Sequence, residues 1–531
     1  MKVLYFLVVL YLTCISSVSF AADNYCEALK YSLLFYKAQR AGRLPDADIP
    51  WRGNSVLGDT YNNKVDSNGD GILSKGYFDA GDGVKFGFPM AYTMTMLSWI
   101  YNQYESNIVG CGLDSLYKDV IKWGSDYTIA SHVEDNVFVG QIADANVDHS
   151  YWIPPEDISY TRTVYTIDSN NPGTDLAMEA SASLAATYLV FKSSDSSYAN
   201  ECLSHAKTLY SFAINSDKKL YSDSIKVASG FYTSGGYNDE IAWASAWLYK
   251  ATGESSYLSN AATYYANNEV QYANQLSWDQ KGVAVGMLLY QINNGATYKS
   301  NVETALKYWQ KNGGVNYTPN GLAYLNEWGP CRYSMNMALI ASMYGGDYAS
   351  FAESQLNYVL GNNAKSYSFI AGWGSNYPKN PHHRASHHST TQDINNPTTN
   401  TYVLYGALVG GPASDDSYKD DRTDYTQSEV ALDYNVGLVG TLAAFSSNSA
   451  AASTTNPYTG NDITSNSDSS TTQPNTNSDD STTTPGENGN TLNSNSESPN
   501  ADHSESESSG ATTIQKLSLI SLLLCLIVSL F

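Results

Sequence analysis

Two carboxylates stand three residues apart in the stretch Tyr77-Phe78-Asp79-Ala80-Gly81-Asp82-Gly83-Val84-Lys85-Phe86-Gly87. The glycines among them let backbone and acids approach a ligand closely. Ordinary turns and helix caps also contain such pairs, so Asp79 and Asp82 need a partner. Glu429, far along the chain, sits among Tyr425, Val430 and Tyr434. Burial near apolar groups raises a carboxyl pKa, as a general acid requires. The competing reading of Glu429 is an acid at a helix N-terminus, stabilised by the dipole. Pro381-His382-His383-Arg384, followed by His387-His388, matches no standard zinc motif. It reads better as a cluster that hydrogen-bonds a neutral sugar beside the acids. Asp66-Ser67-Asn68-Gly69-Asp70-Gly71 resembles half of an EF-hand loop. Its twelfth position is Tyr77 rather than Glu and flanking helices are missing, so it reads as a turn.

Composition narrows the partners. The chain has 531 residues, 42% of them hydrophobic and only 15% charged. Its 29 basic and 52 acidic residues give a net charge of −23. That excludes nucleic acid, whose phosphates need a basic face, and docking on an anionic lipid surface. The 43 tyrosines supply flat apolar rings with hydroxyls, suited either to a sugar or to a tyrosine-rich core.

These residues must be positioned by helices. Helical periodicity marks twelve stretches: 25–39, 89–103, 113–130, 174–191, 196–211, 238–252, 254–268, 279–293, 297–311, 332–343, 347–360 and 427–444. Little of the chain alternates as a strand does, so the body is all-α. Short and long connections alternate, which places every long loop at one end of an up-down array. Six hairpins closed in a ring give an (α/α)6 barrel. Function resides on long loops held by a rigid scaffold. The Asp, His and Glu segments all precede even-numbered helices, hence lie on one rim.

The two ends read as sorting signals. Residues 1–21 form a secretory signal peptide and 22–447 the catalytic body. Residues 448–508 form a Ser/Thr/Asn-rich stalk without Lys or Arg, too polar to pack a core. Residues 509–531 form a lipid-anchor signal of small residues, spacer and apolar tail. The expected location is therefore secreted or cell-surface, with a C-terminal GPI anchor as the membrane link and a short tail anchor as the alternative. Cys26, Cys111, Cys202 and Cys331 can form one or two disulfides, and spacing does not select a pairing. One glycosylation sequon stands out, Asn316-Tyr317-Thr318.

With these motifs in order, the chain resembles glycoside hydrolase family 9, cellulases with an (α/α)6 barrel. The resemblance runs from about Tyr25 to Phe445. It includes Asp79-Ala80-Gly81-Asp82, Lys122-Trp123-Gly124-Ser125-Asp126-Tyr127, Asp148-His149, Gly236-Tyr237-Asn238-Asp239-Glu240, Trp278-Asp279, Trp328-Gly329 with Arg332, and Pro381-His382-His383-Arg384. The family's His signature departs only at Ala371, and its acidic signature only at Val436. The resemblance implies an inverting endo-1,4-β-glucanase whose partner is a β-glucan polysaccharide, acting as a monomer and needing no cofactor for catalysis. Xyloglucan, mixed-linkage glucan, or binding without catalysis are the alternatives. It implies Asp82 as base, Asp79 as holder of the attacking water and Glu429 as acid. His382 and Asp420 are implied as further active-site residues. His149, Trp328, Arg332, Arg384 and Tyr434 are implied as sugar contacts. A structural calcium is implied at Asp239, Glu240 and Asp279, which could equally be helix caps. Two departures stand out. Gly83 replaces the histidine of many relatives, and the Tyr232–Gly236 stretch lacks an aromatic before its glycines, so a sugar-stacking platform is expected to be missing there.

Overall fold

The computed structural model describes residues 24–45 and 49–459. The expected signal peptide, most of the stalk and the anchor signal lie outside these residues. All twelve expected helices are present: α1 Tyr25–Ala38, α2 Gly87–Gly110, α3 Asp114–Ser131, α4 Thr174–Phe191, α5 Ser196–Asn215, α6 Asn238–Thr252, α7 Ser255–Tyr265, α8 Gly282–Asn293, α9 Ala296–Trp309, α10 Pro330–Tyr344, α11 Ala349–Val359 and α12 Leu432–Phe445. Helix α2 outlasts its expected end at Gln103, because Tyr104 kinks it with φ −125° instead of stopping it.

The even helices pack in order around a ring, and α12 returns to α2 to close it. They are buried over most of their surface. Helix α4 shows why: its Ala- and Ser-rich face lets neighbouring helices approach closely. The odd helices pack outside and bury one stripe each. In α5 that stripe is Tyr198, Cys202, Ala206, Leu209 and Ala213, the spacing of an amphipathic helix. Five pairs are sequential hairpins. The sixth pairs α1 with α12, from opposite ends of the fold. The Tyr36 hydroxyl donates to the Leu432 carbonyl at 2.9 Å across this seam. Cys26 and Cys111 form a disulfide between α1 and the end of α2, while Cys202 and Cys331 are free and buried.

Two findings depart from expectation. First, the rim carries a small antiparallel sheet. Strand β3 (Val137–Ile142) pairs with β1 (Lys85–Phe86), β2 (His132–Glu134) and β4 (Val164–Ile167). β3 is almost wholly buried, so it lacks the alternation that marks a half-buried strand. A short hairpin, β5 (Asn316–Tyr317) with β6 (Ala323–Tyr324), carries the sequon Asn316 on its exposed side. Second, the folded body does not stop at residue 447. Ala452 donates its N–H to the Cys111 carbonyl at 3.0 Å. Lys30 Nζ donates to the Ser453 and Thr455 carbonyls at 2.7 and 2.5 Å. The Tyr458 ring lies 4.9 Å from that of Tyr405 and 6.0 Å from that of Trp51. A lone tyrosine in a Ser/Thr-rich segment was the only sequence signal for this strap. Among the described residues no helix is long and apolar enough to cross a membrane.

Candidate active site

Residues brought together from six long loops and two helix starts line a cleft of about 830 Å³, with Trp278 supplied by the loop before α8. Asp79 and Asp82 come from the loop before α2, His149 and Trp152 from the loop before α4, and Phe231 and Tyr232 from the loop before α6. Trp328 precedes α10, while Arg332 lies in its first turn. His382, Arg384, Tyr425 and Glu429 come from the long loop before α12, whose first turn supplies Tyr434.

Backbone contacts set these positions. Leu432 N–H donates to the Asp79 carbonyl at 2.9 Å, Arg384 N–H to the Gly81 carbonyl at 3.0 Å, and His382 N–H to the Ser428 carbonyl at 2.9 Å. Gly81 is required by the close approach: a Cβ there would lie 2.0 Å from the His382 carbonyl oxygen.

The three acids occupy different environments. Asp79 is buried, and its Oδ2 accepts the Tyr232 hydroxyl while Oδ1 has no partner. Burial, reinforced by the charge of Asp82, holds its pKa well above the usual range. Asp82 feels the same desolvation, but His149 Nε2 donates to its Oδ2 at 3.0 Å and Arg384 lies near. The net effect keeps Asp82 below the usual carboxylate range. Glu429 is raised by burial, against the pull of Trp328 Nε1 at 2.9 Å and the Tyr434 hydroxyl at 3.0 Å, both donating to Oε2. At neutral pH this gives an ionised Asp82 beside acids that hold their protons more tightly. Carboxyls driven apart in this way are how one site holds an acid and a base together.

Residues 25–442 match glycosyl hydrolase family 9. The chain belongs to this family. It is 54% identical over 431 residues to an endoglucanase of Dictyostelium discoideum, covering 80% of this chain and 61% of that protein. It thus spans less than two thirds of that relative's length. It is 38% identical to endoglucanase 15 of Arabidopsis thaliana, covering 80% of this chain and 94% of that one. Among solved structures, the endoglucanase of the termite Nasutitermes takasagoensis superposes with a TM-score of 0.75 at 42% identity, covering 80% and 99% of the two chains. Endoglucanase CelQ of Clostridium thermocellum, solved with cellobiose and cellotriose, gives 0.73 at 35% identity, covering 82% and 72%.

The cleft unites every expected catalytic and sugar-contacting residue but Asp420. His382 Nδ1 faces the Arg422 carbonyl at 2.7 Å and therefore carries the proton. Burial pushes its pKa down to about 4, so the ring is neutral. His383 and His387 use both ring nitrogens inside the protein, on Gln39 and Ser386 and on Trp152 and Pro397. They are structural. Arg332 pairs with Asp433 at 3.0 Å and lies over the Tyr434 ring. Trp328 and Tyr425 stand at the mouth, 45% and 50% exposed.

Asp420 needs a correction. It does not line the cleft but a separate pocket of about 290 Å³. Its carboxylate accepts the N–H groups of Lys379 and Asn380, each at 2.9 Å. It thus anchors the segment leading into His382 rather than touching the site. The expected lack of an aromatic platform also fails, because Phe231 and Tyr232 line the cleft wall. Asp148 was missed as a site residue. It is fully buried, salt-bridged to Arg384 at 2.7 Å, and its side chain accepts the Gly83 N–H at 3.1 Å. Its place beside His149 in the sequence was the one available signal.

Among the described residues, Asp82, Asp148 and His149 are the trio of potential metal ligands whose donor atoms lie within 4.8 Å of one another. Their donor atoms are already hydrogen-bonded to protein, so they form a network rather than a vacant ligand set. Asp239, Glu240 and Asp279 fit a hard cation in chemistry. Glu240 Oε2 is buried without a partner, and burial together with Asp239 holds its pKa well up. Its other oxygen meets Lys281 Nζ at 2.6 Å. Asp239 accepts the Lys281 N–H and Asp279 the Gly235 N–H, both at 2.8 Å, in place of capping their own helices.

Removing the Asp420 carboxylate tests its anchoring role. Asp420→Ala should lower stability by about 1–2 kcal/mol, the scale of part-exposed hydrogen bonds to a charged group. Differential scanning calorimetry measures this. An unchanged melt with lost activity would return Asp420 to the reacting groups.

Proposed function

We propose that the protein is an inverting endo-1,4-β-glucanase that hydrolyses cellulose-like glucans. The observation carrying this is one cleft holding a depressed Asp82 and a raised Glu429 beside indole and phenol rings. Family membership and endoglucanase relatives support the substrate class.

In this mechanism the glucan stacks its apolar sugar faces on Trp328, Tyr425 and Phe231. His382, Arg384 and Arg332 offer hydrogen-bonding groups. Glu429 gives its proton to the glycosidic oxygen as the C–O bond breaks. A water oxygen bonds to the anomeric carbon from the opposite face and passes its proton to Asp82. Asp79, steadied by Tyr232, holds that water. The products are two shorter chains, the new reducing end first formed as the α-anomer. Proton NMR of the initial product reads the anomer, and a β-anomer would overturn inversion. Glu429→Gln should lower kcat by about 10²–10⁴-fold, and less for good leaving groups. An equal loss on all substrates would point to binding or folding instead.

The pH profile follows from the opposed shifts. Asp82 must be ionised and Glu429 protonated, so activity is bell-shaped in pH. Its acid limb belongs to the depressed Asp82 and its alkaline limb to the raised Glu429. Hydrogen bonds donated to a carboxylate favour the anion and lower its pKa. Tyr434→Phe removes one from Glu429 and should therefore move the alkaline limb of kcat/KM to higher pH. A limb that stays or moves down would contradict this electrostatic account.

A structural calcium belongs to the same proposal. Asp239, Glu240 and Asp279 would hold it, joining the first turn of α6 to the loop before α8 by carboxylate coordination. A ligand that binds only the native state stabilises it. Chelator should lower the melting temperature and added calcium restore it. An unchanged melt, with no calcium in elemental analysis, would remove the ion from the proposal.

A further inference from the structure

The segment 158–162 holds the loop that carries Asp82. Gly83 follows the carboxylate directly, and its peptide groups are held on both sides. The Gly83 N–H donates to Asp148 Oδ1 at 3.1 Å. The Gly83 carbonyl accepts Arg162 Nη1 at 2.6 Å. The other nitrogens of Arg162 are committed to one anchor: Nε meets Asp59 Oδ1 at 2.7 Å and Nη2 meets Asp59 Oδ2 at 3.1 Å. Asp59 is buried and also meets Lys85 Nζ at 3.0 Å. Two parallel bonds of this kind fix a guanidinium in orientation as well as position. On the other side, Asp148 is held by the Tyr160 hydroxyl and by Arg384 at 2.7 Å.

The cradle closes on a glycine. A Cβ at position 83 would lie 2.5 Å from Ile158 Cδ1, 2.7 Å from Asp148 Oδ1 and 2.8 Å from the Tyr160 hydroxyl. The space that a side chain would take is filled by the segment that supplies the clamp.

We propose that Arg162, with Asp148 and Tyr160, is a positioning clamp on the Gly83 peptide that fixes the Asp82 carboxylate for attack by water. Arg162 touches neither substrate nor the reacting atoms; it acts through the backbone beside Asp82. The inference rests on Asp82 being the base.

The test uses purified enzyme and cellobiosides with leaving groups of graded acidity, with melting temperatures in parallel. Arg162→Gln removes the donor geometry, and kcat should fall about tenfold or more, since small displacements of reacting groups cost that much. KM should stay within about twofold, because uniform binding is untouched. The loss should be equal across leaving groups, unlike that of Glu429→Gln, because the clamp acts on water attack. Arg162→Lys retains one N–H for the carbonyl and should recover part of kcat. A folded Arg162→Gln with wild-type kcat overturns the proposal. So does a loss that lies in KM or shrinks with better leaving groups, or a lysine variant no better than the glutamine. Should Arg162→Gln fail to fold, Arg162→Lys and Tyr160→Phe decide: reduced kcat at unchanged KM supports the clamp, and wild-type kcat in both overturns it. Asp82→Asn separates the two premises. If that variant keeps wild-type activity, the base assignment fails. If it is inactive while Arg162→Gln is unaffected, only the clamp fails.

Discussion

The site depends on backbone hydrogen bonds between three chain segments distant in sequence, 79–81, 382–384 and 428–432. Asp79 is tied to Leu432, Gly81 to Arg384, and His382 to Ser428. Ser428, Glu429 and Leu432 lie close in sequence, so these bonds form a closed circuit. Asp82 and Glu429 sit on it, as do His382 and Arg384. Backbone-to-backbone bonds fix position more tightly than long side chains can, since no rotamer entropy is lost in making them. The absence of a side chain at Gly81 is what lets two of these strands of chain touch.

With positions fixed, local environment sets protonation. Desolvation acts on Asp79, Asp82 and Glu429 alike and raises all three. Only Asp82 receives enough compensation, from His149 and Arg384, to end below its ordinary value. His149 is itself raised by that contact, despite the opposing effect of burial. The inner helices add further buried charge near their starts. Lys281 bridges Glu240 at 2.6 Å and Glu179 at 3.3 Å, and lies over the Phe88 ring. Removing one member of such a group leaves an uncompensated buried charge.

The fold makes this arrangement possible because its two ends meet. Helix α1 packs on α12 to complete the sixth pair, the Cys26–Cys111 disulfide ties α1 to α2, and the strap through Tyr458 covers the outer face. The inner ring then presents six helix starts to one rim, and the long loops entering them supply the cleft. Asp420 and Arg162 belong to this supporting layer. They hold the peptide groups beside His382 and Asp82 without entering the cleft.

The amino-acid sequence by itself determined the twelve helices, their alternating connections and the rim that carries Asp79, Asp82, His382 and Glu429. Helical periodicity and loop length are local properties, and motif spacing is visible along the chain. Tertiary structure decided what depends on contact. The choice of Cys26 with Cys111 required the ends of α1 and α2 to meet. The buried strand β3 has no alternation to read. Asp420 shares its segment with the acidic motif, yet its carboxylate turns to Lys379 and Asn380, which only the folded loops bring near. Phe231 and Tyr232 reach the cleft although the loop looks bare of an aromatic before its glycines. Asp148, Tyr160 and Arg162 converge on Gly83 from a separate segment. Carboxyl pKa values likewise follow from burial and neighbours, so the sequence named the acids and folding set which of them holds its proton.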